Sequence, residues 1–135
     1  MQRSTSPLAL PLEKAYPPLR VVDEPVRLKW RKLAIATTEE TRFIPYDDIL
    51  YCKSLSNYTT IYVQGGKSYM CSKTLKGVEA KLPSDQFLRI HDSYLVNVQS
   101  ITCLKKKTGE MEIDNNILLP ISRARKTSIY QLFNL

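Results

Sequence analysis

Three short stretches of the chain collect side chains that can form hydrogen bonds or ion pairs with a partner molecule. They are Ser56-Asn57-Tyr58, His91-Asp92-Ser93 and the corner Ile121-Ser122-Arg123-Ala124-Arg125-Lys126. Arginine can bind guanine through two parallel hydrogen bonds and asparagine can bind adenine in the same way, while hydroxyl and imidazole groups commonly meet phosphate or a base edge. These residue types indicate a surface suited to nucleic acid.

The middle stretch holds the only histidine of the chain and separates two β-like runs. A polar corner between half-buried strands is a common place for binding residues. An ordinary surface turn is the alternative, because Asp and Ser favour turns for local backbone reasons. A catalytic set of His91, Asp92 and Ser93 is disfavoured, since adjacent residues on an extended chain point to opposite faces and no G-x-S-x-G motif occurs elsewhere. We therefore do not expect a hydrolase that uses these three residues.

The chain is long enough for one folded domain and carries an excess of positive charge. Of its 135 residues, 43% are hydrophobic and 24% are charged, which is typical of a folded globular protein rather than a disordered one. The net charge of +7 favours a polyanionic partner, either nucleic acid or an anionic membrane surface. No apolar run approaches the roughly 20 residues of a membrane span, so we expect no membrane insertion and a cytoplasmic protein.

The cysteines do not suggest a metal site. Cys52, Cys71 and Cys103 form no C-x-x-C pair, and the chain has one histidine only. This spacing predicts neither a zinc site nor a framework of disulfides. We therefore expect reduced thiols and a protein that works without metal or cofactor.

The first part of the chain is predicted to be a proline-rich linker or N-terminal arm. Residues 1–31 hold five of the eight prolines, which favour an extended path, and show no regular apolar period. The basic residues around Trp30 could let this arm touch nucleic acid, and a simple tether is the alternative. Residues 32–135 are predicted to form the folded domain.

The folded part is predicted to be mainly β, with about ten short strands in small packed antiparallel sheets, one short internal helix and a short C-terminal helix. The predicted strands are residues 32–37, 42–45, 49–53, 59–64, 67–72, 88–91, 94–98, 101–106, 111–113 and 117–120. Gly65-Gly66 predicts a hairpin, because both residues can take positive φ. The internal helix is predicted at residues 74–82, with Thr74 as its cap and Pro83 after its end.

The C-terminal helix is predicted to begin after Ser122, which can cap it. Its predicted core-facing residues are Ile129, Leu132 and Phe133. Its first turn carries three cations, Arg123, Arg125 and Lys126. Positive charge at a helix N-terminus opposes the helix dipole, and an anionic partner at this position would account for it.

Other binding modes stay open. Tyr51, Tyr58, Tyr62 and Tyr69 could form a stacking platform for RNA or single-stranded DNA, although the RRM and KH patterns are missing. A protein-interaction module whose basic face serves an acidic partner is the other alternative. The run Lys105-Lys106-Lys107 is typical of a solvated strand end, but it could neutralise phosphate if it lies on the same side as the three stretches.

Taken together, these segments resemble the LytTR family of DNA-binding domains. The similarity rests on the string from Phe87 to Asn97, on Asp48-Ile49-Leu50-Tyr51-Cys52 with Asn57-Tyr58-Thr59, and on Leu119-Pro120-Ile121-Ser122-Arg123. It covers roughly residues 32–130. The resemblance implies the β-rich output domain of a bacterial response regulator, which binds double-stranded DNA with loops in successive major grooves, usually as a pair of domains on repeated sites.

The resemblance also implies roles for individual residues. Asn57 or Tyr58 would lie in the first contact loop, Asp92 in the second, and Arg123 in the third. Arg123 would contact a base edge, and its neighbours Arg125 and Lys126 would contact phosphate. Such contacts would supply both base choice and affinity.

Two residues of the second loop have open roles. Asp92 departs from the Arg, Lys or Asn common at this position, and it could accept from cytosine N4 or orient His91 or Arg123. His91, which shares the loop with Ser93, is either a DNA contact or a structural hydrogen-bonding residue at the strand end.

The usual partner in this family is an N-terminal receiver domain with a phosphorylatable aspartate, controlled by a sensor kinase. About thirty residues precede the predicted domain, too few for a receiver. The sequence is therefore either a fragment of a longer regulator or a stand-alone regulator.

Overall fold

A computed structural model of the protein describes residues 30–114 and 116–135. Residues 31–135 form one compact unit. The predicted linker at residues 1–31 lies almost entirely outside the described residues, so that prediction stays untested.

The described part of the chain contains ten strands and two α-helices, which confirms the predicted mainly-β class. The strands are β1 (Lys32–Ala36), β2 (Thr41–Pro45), β3 (Ile49–Leu55), β4 (Tyr58–Val63), β5 (Ser68–Cys71), β6 (Phe87–His91), β7 (Tyr94–Asn97), β8 (Ile101–Lys105), β9 (Glu110–Ile113) and β10 (Ile117–Pro120). Helix α1 (Leu75–Glu79) lies between β5 and β6, and helix α2 (Arg123–Leu132) follows β10. Single 3₁₀ turns precede β3 and β8.

The strands form three antiparallel sheets. The central sheet has five strands in the order β5-β4-β3-β7-β6, while β1 and β2 form a separate hairpin and β10, β9 and β8 form a three-stranded sheet. Successive side chains of a strand point to opposite faces of its sheet, so a sheet of these strands can contact packed residues on both faces.

The central sheet carries a hydrophobic core on each face. Cys52 and Leu95 belong to a cluster with the β1–β2 hairpin and α1, whereas their neighbours Tyr51 and Val96 belong to a cluster with the three-stranded sheet and α2. Successive residues of a strand point to opposite faces, so these two pairs divide between the two cores. The sheet is therefore a rigid platform whose strand ends position the connecting turns.

Two tight hairpin turns connect β3 to β4 and β4 to β5. Gly65 and Gly66 have φ of 87° and 81°, as predicted for the β4–β5 connection. The β3–β4 connection is shorter than the sequence predicted, because both strands continue and only Ser56 and Asn57 join them. Ser56 adopts φ of 58°, which lets the chain reverse in two residues. Tyr58 is consequently the first residue of β4 rather than part of a loop.

Helix α1 begins after the predicted cap Thr74, but it ends at Glu79 rather than near Leu82 as predicted. The hydroxyl oxygen of Thr74 accepts a hydrogen bond from the Gly77 backbone N–H at 3.1 Å, and Leu75 and Val78 are buried in the first cluster. The cap satisfies one of the amide groups that a helix start leaves without an intrahelical partner.

Helix α2 begins where predicted but packs differently. Ile129 is buried, whereas Leu132 and Phe133 are 60% and 37% exposed, so the prediction that both face the core was wrong. The helix meets the second cluster through Ile129 and the half-buried Tyr130, and it ends at Leu132, leaving the last apolar side chains beyond the packed region. Ser122 occupies the cap position, but its hydroxyl makes no capping hydrogen bond.

Candidate nucleic-acid interface

The first and second predicted loops project from neighbouring strands at the same end of the central sheet. Lys53 of β3 pairs with Tyr94 of β7, and the Ser54 backbone N–H donates to the Ser93 carbonyl at 2.9 Å. The Ser56-Asn57 turn follows only two residues later. Successive residues of a strand are about 3.3 Å apart, so the Ser56-Asn57 turn lies within a few residues' length of the second loop.

The second and third predicted loops are joined directly. The Ser122 backbone N–H donates to the Ile90 carbonyl at 2.9 Å, which fixes the start of α2 against the end of β6. In addition, Nη1 of Arg125 donates to Oδ1 of Asp92 at 2.9 Å. All three loops therefore lie along one continuous edge of the molecule, held by backbone hydrogen bonds and one ion pair.

Asp92 is the negative charge at the centre of this row. Its side chain is 86% exposed, and the hydrogen bond from Arg125 lowers the pKa of its carboxyl group, helped by the positive charges of Arg125 and Arg89 and by His91. A lowered pKa keeps the carboxylate ionised. The partner of Asp92 is thus Arg125, which is neither of the two residues that the sequence suggested Asp92 could orient.

His91 closes the second loop. Its Nδ1 accepts a hydrogen bond from the Ser93 backbone N–H at 3.0 Å, and its ring meets the Tyr94 ring edge-on with centroids 5.7 Å apart. A neutral imidazole in this arrangement carries its proton on Nε2, a tautomer inferred from the hydrogen bond. The bond gives His91 a structural role in the turn and leaves Nε2 as a donor.

Arg89 is a residue of this site that the sequence did not single out. Its Nε donates to the His91 carbonyl at 2.8 Å, and its Nη2 donates to the Asp92 carbonyl at 2.7 Å. Its Nη1 pairs with Oε1 of Glu79 at 2.7 Å, which ties the turn to the end of α1. A guanidinium group has donors in a rigid fork that suits such multiple contacts. The useful sequence signal was an arginine placed just before a polar turn, within reach of the turn carbonyls.

The side chains of the first and third loops are available to a partner. Asn57 and Arg123 are exposed, Tyr58 is 48% exposed, and across residues 30–114 and 116–135 none of the three makes a side-chain hydrogen bond or ion pair. Lys126 is half-buried on the first turn of α2. Arg123 is therefore a free guanidinium at the start of a helix whose neighbour, Arg125, is already held by Asp92.

The tyrosines do not form a common platform. The rings of Tyr51 and Tyr62 stack with centroids 4.5 Å apart, but Tyr51 is buried, and burial raises its pKa together with the nearby Tyr62 and Tyr94. Tyr69 lies on the opposite face, because it pairs with Ile61 of the first cluster, and the Arg42 guanidinium covers its ring. These four tyrosines therefore do not form the stacking platform that the sequence left open as an alternative.

Within the described part of the chain, no helix is long and apolar enough to cross a membrane. The same residues contain no group of three or more His, Cys, Asp or Glu side chains arranged to hold a metal ion. Cys52, Cys71 and Cys103 are free thiols.

Comparisons with known proteins agree on one family. Residues 39–134 match the LytTr DNA-binding domain family. The chain is 30% identical over 103 residues to a CO-responsive transcriptional regulator, RcoM, of Rhodospirillum rubrum, covering 73% of this chain and 43% of the relative. It is 26% identical over 107 residues to the sensory transduction protein LytT of Bacillus subtilis, covering 77% of this chain and 44% of the relative. The chain thus spans less than half the length of these relatives.

A solved structure has the same fold. It is a LytTr DNA-binding domain of a putative methyl-accepting/DNA response regulator from Bacillus cereus, with a TM-score of 0.67 and 22% sequence identity. The similarity covers 78% of this chain and 98% of that domain.

Proposed function

The chain belongs to the LytTR family of DNA-binding domains, and from this premise we propose that it is a transcriptional regulator that binds double-stranded DNA with sequence specificity. The three loops at Ser56-Asn57, Asp92-Ser93 and Ser122-Arg123 would enter the major groove. The protein would act in the bacterial cytoplasm without enzymatic activity, metal or cofactor.

The observation that best supports this proposal is the continuous row formed by the three loops. Hydrogen bonds of 2.9 Å join Ser54 to Ser93 and Ser122 to Ile90, so each loop is held relative to the next by the backbone. DNA recognition needs contacts that keep a fixed spacing, because phosphate contacts set the register in which side chains meet the bases. A row of turns on a rigid sheet meets that requirement.

The loop residues would make different kinds of contact with DNA. Arg123, which is exposed and unpaired among the described residues, would contact a base edge, and guanine is the base that arginine binds most often. Asn57 in the first loop and Tyr58 at the start of β4 would also contact DNA. Lys126 would contact phosphate, whereas Arg125 would hold the second loop through Asp92. His91 and Ser93 would present the second loop to the groove.

The full regulator would contain more than this domain. The matched relatives are more than twice as long as the matched region, so the remaining length in such proteins leaves room for a regulatory part. We propose that the domain works in pairs on repeated sites and that a receiver domain in a sensor-kinase pathway controls it. Two domains on one duplex would read repeated half-sites about one helical turn apart, as paired DNA-binding proteins commonly do.

The experiment that tests this function compares Arg123→Ala with Arg42→Ala. Both changes remove one arginine, but Arg42 lies on β2, in the hairpin that packs on the other face of the central sheet. Arg123→Ala should cost about 1–3 kcal/mol of binding free energy on the preferred duplex and much less on random duplex. Arg42→Ala should leave the binding free energy unchanged on both the preferred and the random duplex. Equal losses on both duplexes for Arg123→Ala would reduce its role to a phosphate contact.

A protein-interaction module with a basic face is the second candidate, supported by the net charge of +7. It predicts weak duplex binding without sequence preference, and an acidic protein partner that competes with DNA. An RNA or single-strand binder would instead prefer unpaired strands in direct competition with duplex.

A further inference from the structure

The turn between β8 and β9 lies beside the third loop. We call residues 106–109, Lys106-Lys107-Thr108-Gly109, the lysine turn. Glu110, which follows it, pairs with Pro120 at the end of β10, and the Ile121 backbone N–H donates to the Gly109 carbonyl at 2.9 Å. This hydrogen bond continues the series that joins the first, second and third loops. The lysine turn is therefore the next member of the same row.

Lys126 brings a further positive charge to the lysine turn. Gly109 has φ of 70°, and a Cβ atom at this position would lie 3.2 Å from the Lys126 Nζ. A side chain at residue 109 would be strained by the backbone and would crowd the ammonium group. The glycine thus leaves room for Lys126 to extend over the turn.

The three consecutive lysines differ in how their charges are balanced. Lys105 lies at the end of β8 and pairs with Glu112 at 3.6 Å. Lys106 and Lys107 are exposed, and neither makes an ion pair with any described residue. Lys126 therefore adds its charge to a turn that already holds two lysines without a carboxylate partner among the described residues, and like charges repel one another unless an anion lies nearby.

We propose that the lysine turn is a fourth DNA-contacting element, in which Lys106 and Lys107 bind backbone phosphates next to the phosphates met by the third loop. This inference rests on the proposed function and extends the binding surface beyond the three loops. A lysine ammonium binds phosphate as a point charge and distinguishes no base. The lysine turn therefore adds affinity and fixes the position of the third loop along the duplex, without changing sequence preference.

The salt dependence of binding tests the inference. Each phosphate neutralised contributes about −0.9 to the slope of log K against log salt concentration. Lys106→Ala and Lys107→Ala should each make the slope shallower by about 0.9, and the double variant by about 1.8. The loss of affinity should be the same on preferred and random duplex.

Two other lysines provide matched controls. Lys67 is an exposed lysine in the glycine-containing β4–β5 turn, at the end of β4 opposite the Ser56-Asn57 turn. Lys105 belongs to the same lysine run but is held by Glu112. Lys67→Ala and Lys105→Ala each remove one positive charge, and both should leave the slope near that of the unchanged protein.

The outcomes separate this inference from the proposed function. If the unchanged protein binds duplex and the Lys106 and Lys107 variants keep its slope, the fourth contact is wrong and the three-loop proposal stands. An equal change with Lys67→Ala also overturns the inference, because the effect would then follow net charge rather than position. If the unchanged protein binds no duplex, the proposed function fails first.

Discussion

Arg125 donates a hydrogen bond to the carboxylate of Asp92 at 2.9 Å across 33 positions of sequence. This ion pair connects the second loop to the start of α2. It joins a negative charge on the proposed binding surface to an arginine that the family resemblance implied would contact phosphate. The pair has two consequences. It holds the second and third loops in register, and it engages Arg125, which phosphate would otherwise attract.

Replacing Asp92 by Asn should strengthen binding to DNA of any sequence. The change removes a negative charge from the binding surface and releases Arg125 to a phosphate, so the slope of log K against log salt should steepen by about 0.9. Filter binding or fluorescence anisotropy over a salt series measures the slope. Asp85→Asn is the matched control, because Asp85 is exposed and precedes β6 at the end away from the loops. An Asp92→Asn slope equal to that of Asp85→Asn would show that Arg125 stays away from phosphate.

The Asp92 carboxyl group should titrate below its ordinary pKa of about 3.9. Because its pKa is lowered in the folded state, the stability from the pair is fully present above the unfolded pKa and is lost as the pH falls through the folded pKa. Carboxyl NMR chemical shifts measured against pH report the titration. In Arg125→Gln the Asp92 pKa should rise towards the ordinary value. An unchanged pKa in that variant would contradict the assignment of the hydrogen bond from Arg125 as the main cause.

Replacing Arg89 by Lys should loosen the second loop. Lysine keeps the charge but cannot hold the carbonyls of His91 and Asp92 and the Glu79 carboxylate at once. The Arg89 side chain is only 18% exposed, so we expect a loss of about 1–2 kcal/mol in the free energy of unfolding. Preferred duplex should lose more affinity than random duplex. Urea unfolding and duplex titrations measure the two effects.

Glu79→Gln is the control for Arg89. It removes the charge of the α1 partner but leaves both turn carbonyls bonded to Arg89, so stability should fall slightly and the preference for the selected duplex should persist. If Arg89→Lys leaves that preference intact as well, Arg89 has no positioning role in recognition.

Asn97→Ala should destabilise the fold without a direct effect on DNA contacts. Asn97 is buried, its Nδ2 donates to the Ile49 carbonyl at 2.9 Å, and its Oδ1 accepts from the Gln99 backbone N–H at 3.0 Å. Each buried group left unpaired costs about 1–3 kcal/mol, so the free energy of unfolding should fall by at least about 2 kcal/mol. Gln131→Ala on the exposed side of α2 should change it by less than about 0.5 kcal/mol. Comparable losses in both variants, measured by urea unfolding, would contradict this role.

Local patterns predicted much of the fold. The glycine pair at 65 and 66 specified a hairpin because its backbone needs positive φ, and the Thr74 cap and the spacing of Leu75 and Val78 specified α1. Leu132 and Phe133 had the same helical spacing, but spacing alone cannot tell where the neighbouring sheet ends. Their exposure follows from tertiary packing.

The candidate site was predictable in part. The residue types of the three loops indicated the surface, but the Asp92–Arg125 pair and the lysine turn depend on which strands are neighbours. Arg89 reaches carbonyls only two and three residues ahead, yet its contact with Glu79 depends on the position of α1. Contacts between residues far apart in sequence cannot be read from the sequence alone. The residue types indicate only which side chains are able to make them.

The central claim is specific binding to duplex DNA, and selection from random duplex by the purified protein tests it most directly. At about physiological salt, non-specific binding is already weak, so enrichment reports sequence preference. We expect one enriched motif that repeats at a centre-to-centre spacing of about 10–10.5 base pairs or a multiple of it, and whose enrichment is lost with Arg123→Ala. A protein that enriches no duplex motif, or that prefers unpaired strands in competition, would contradict the account.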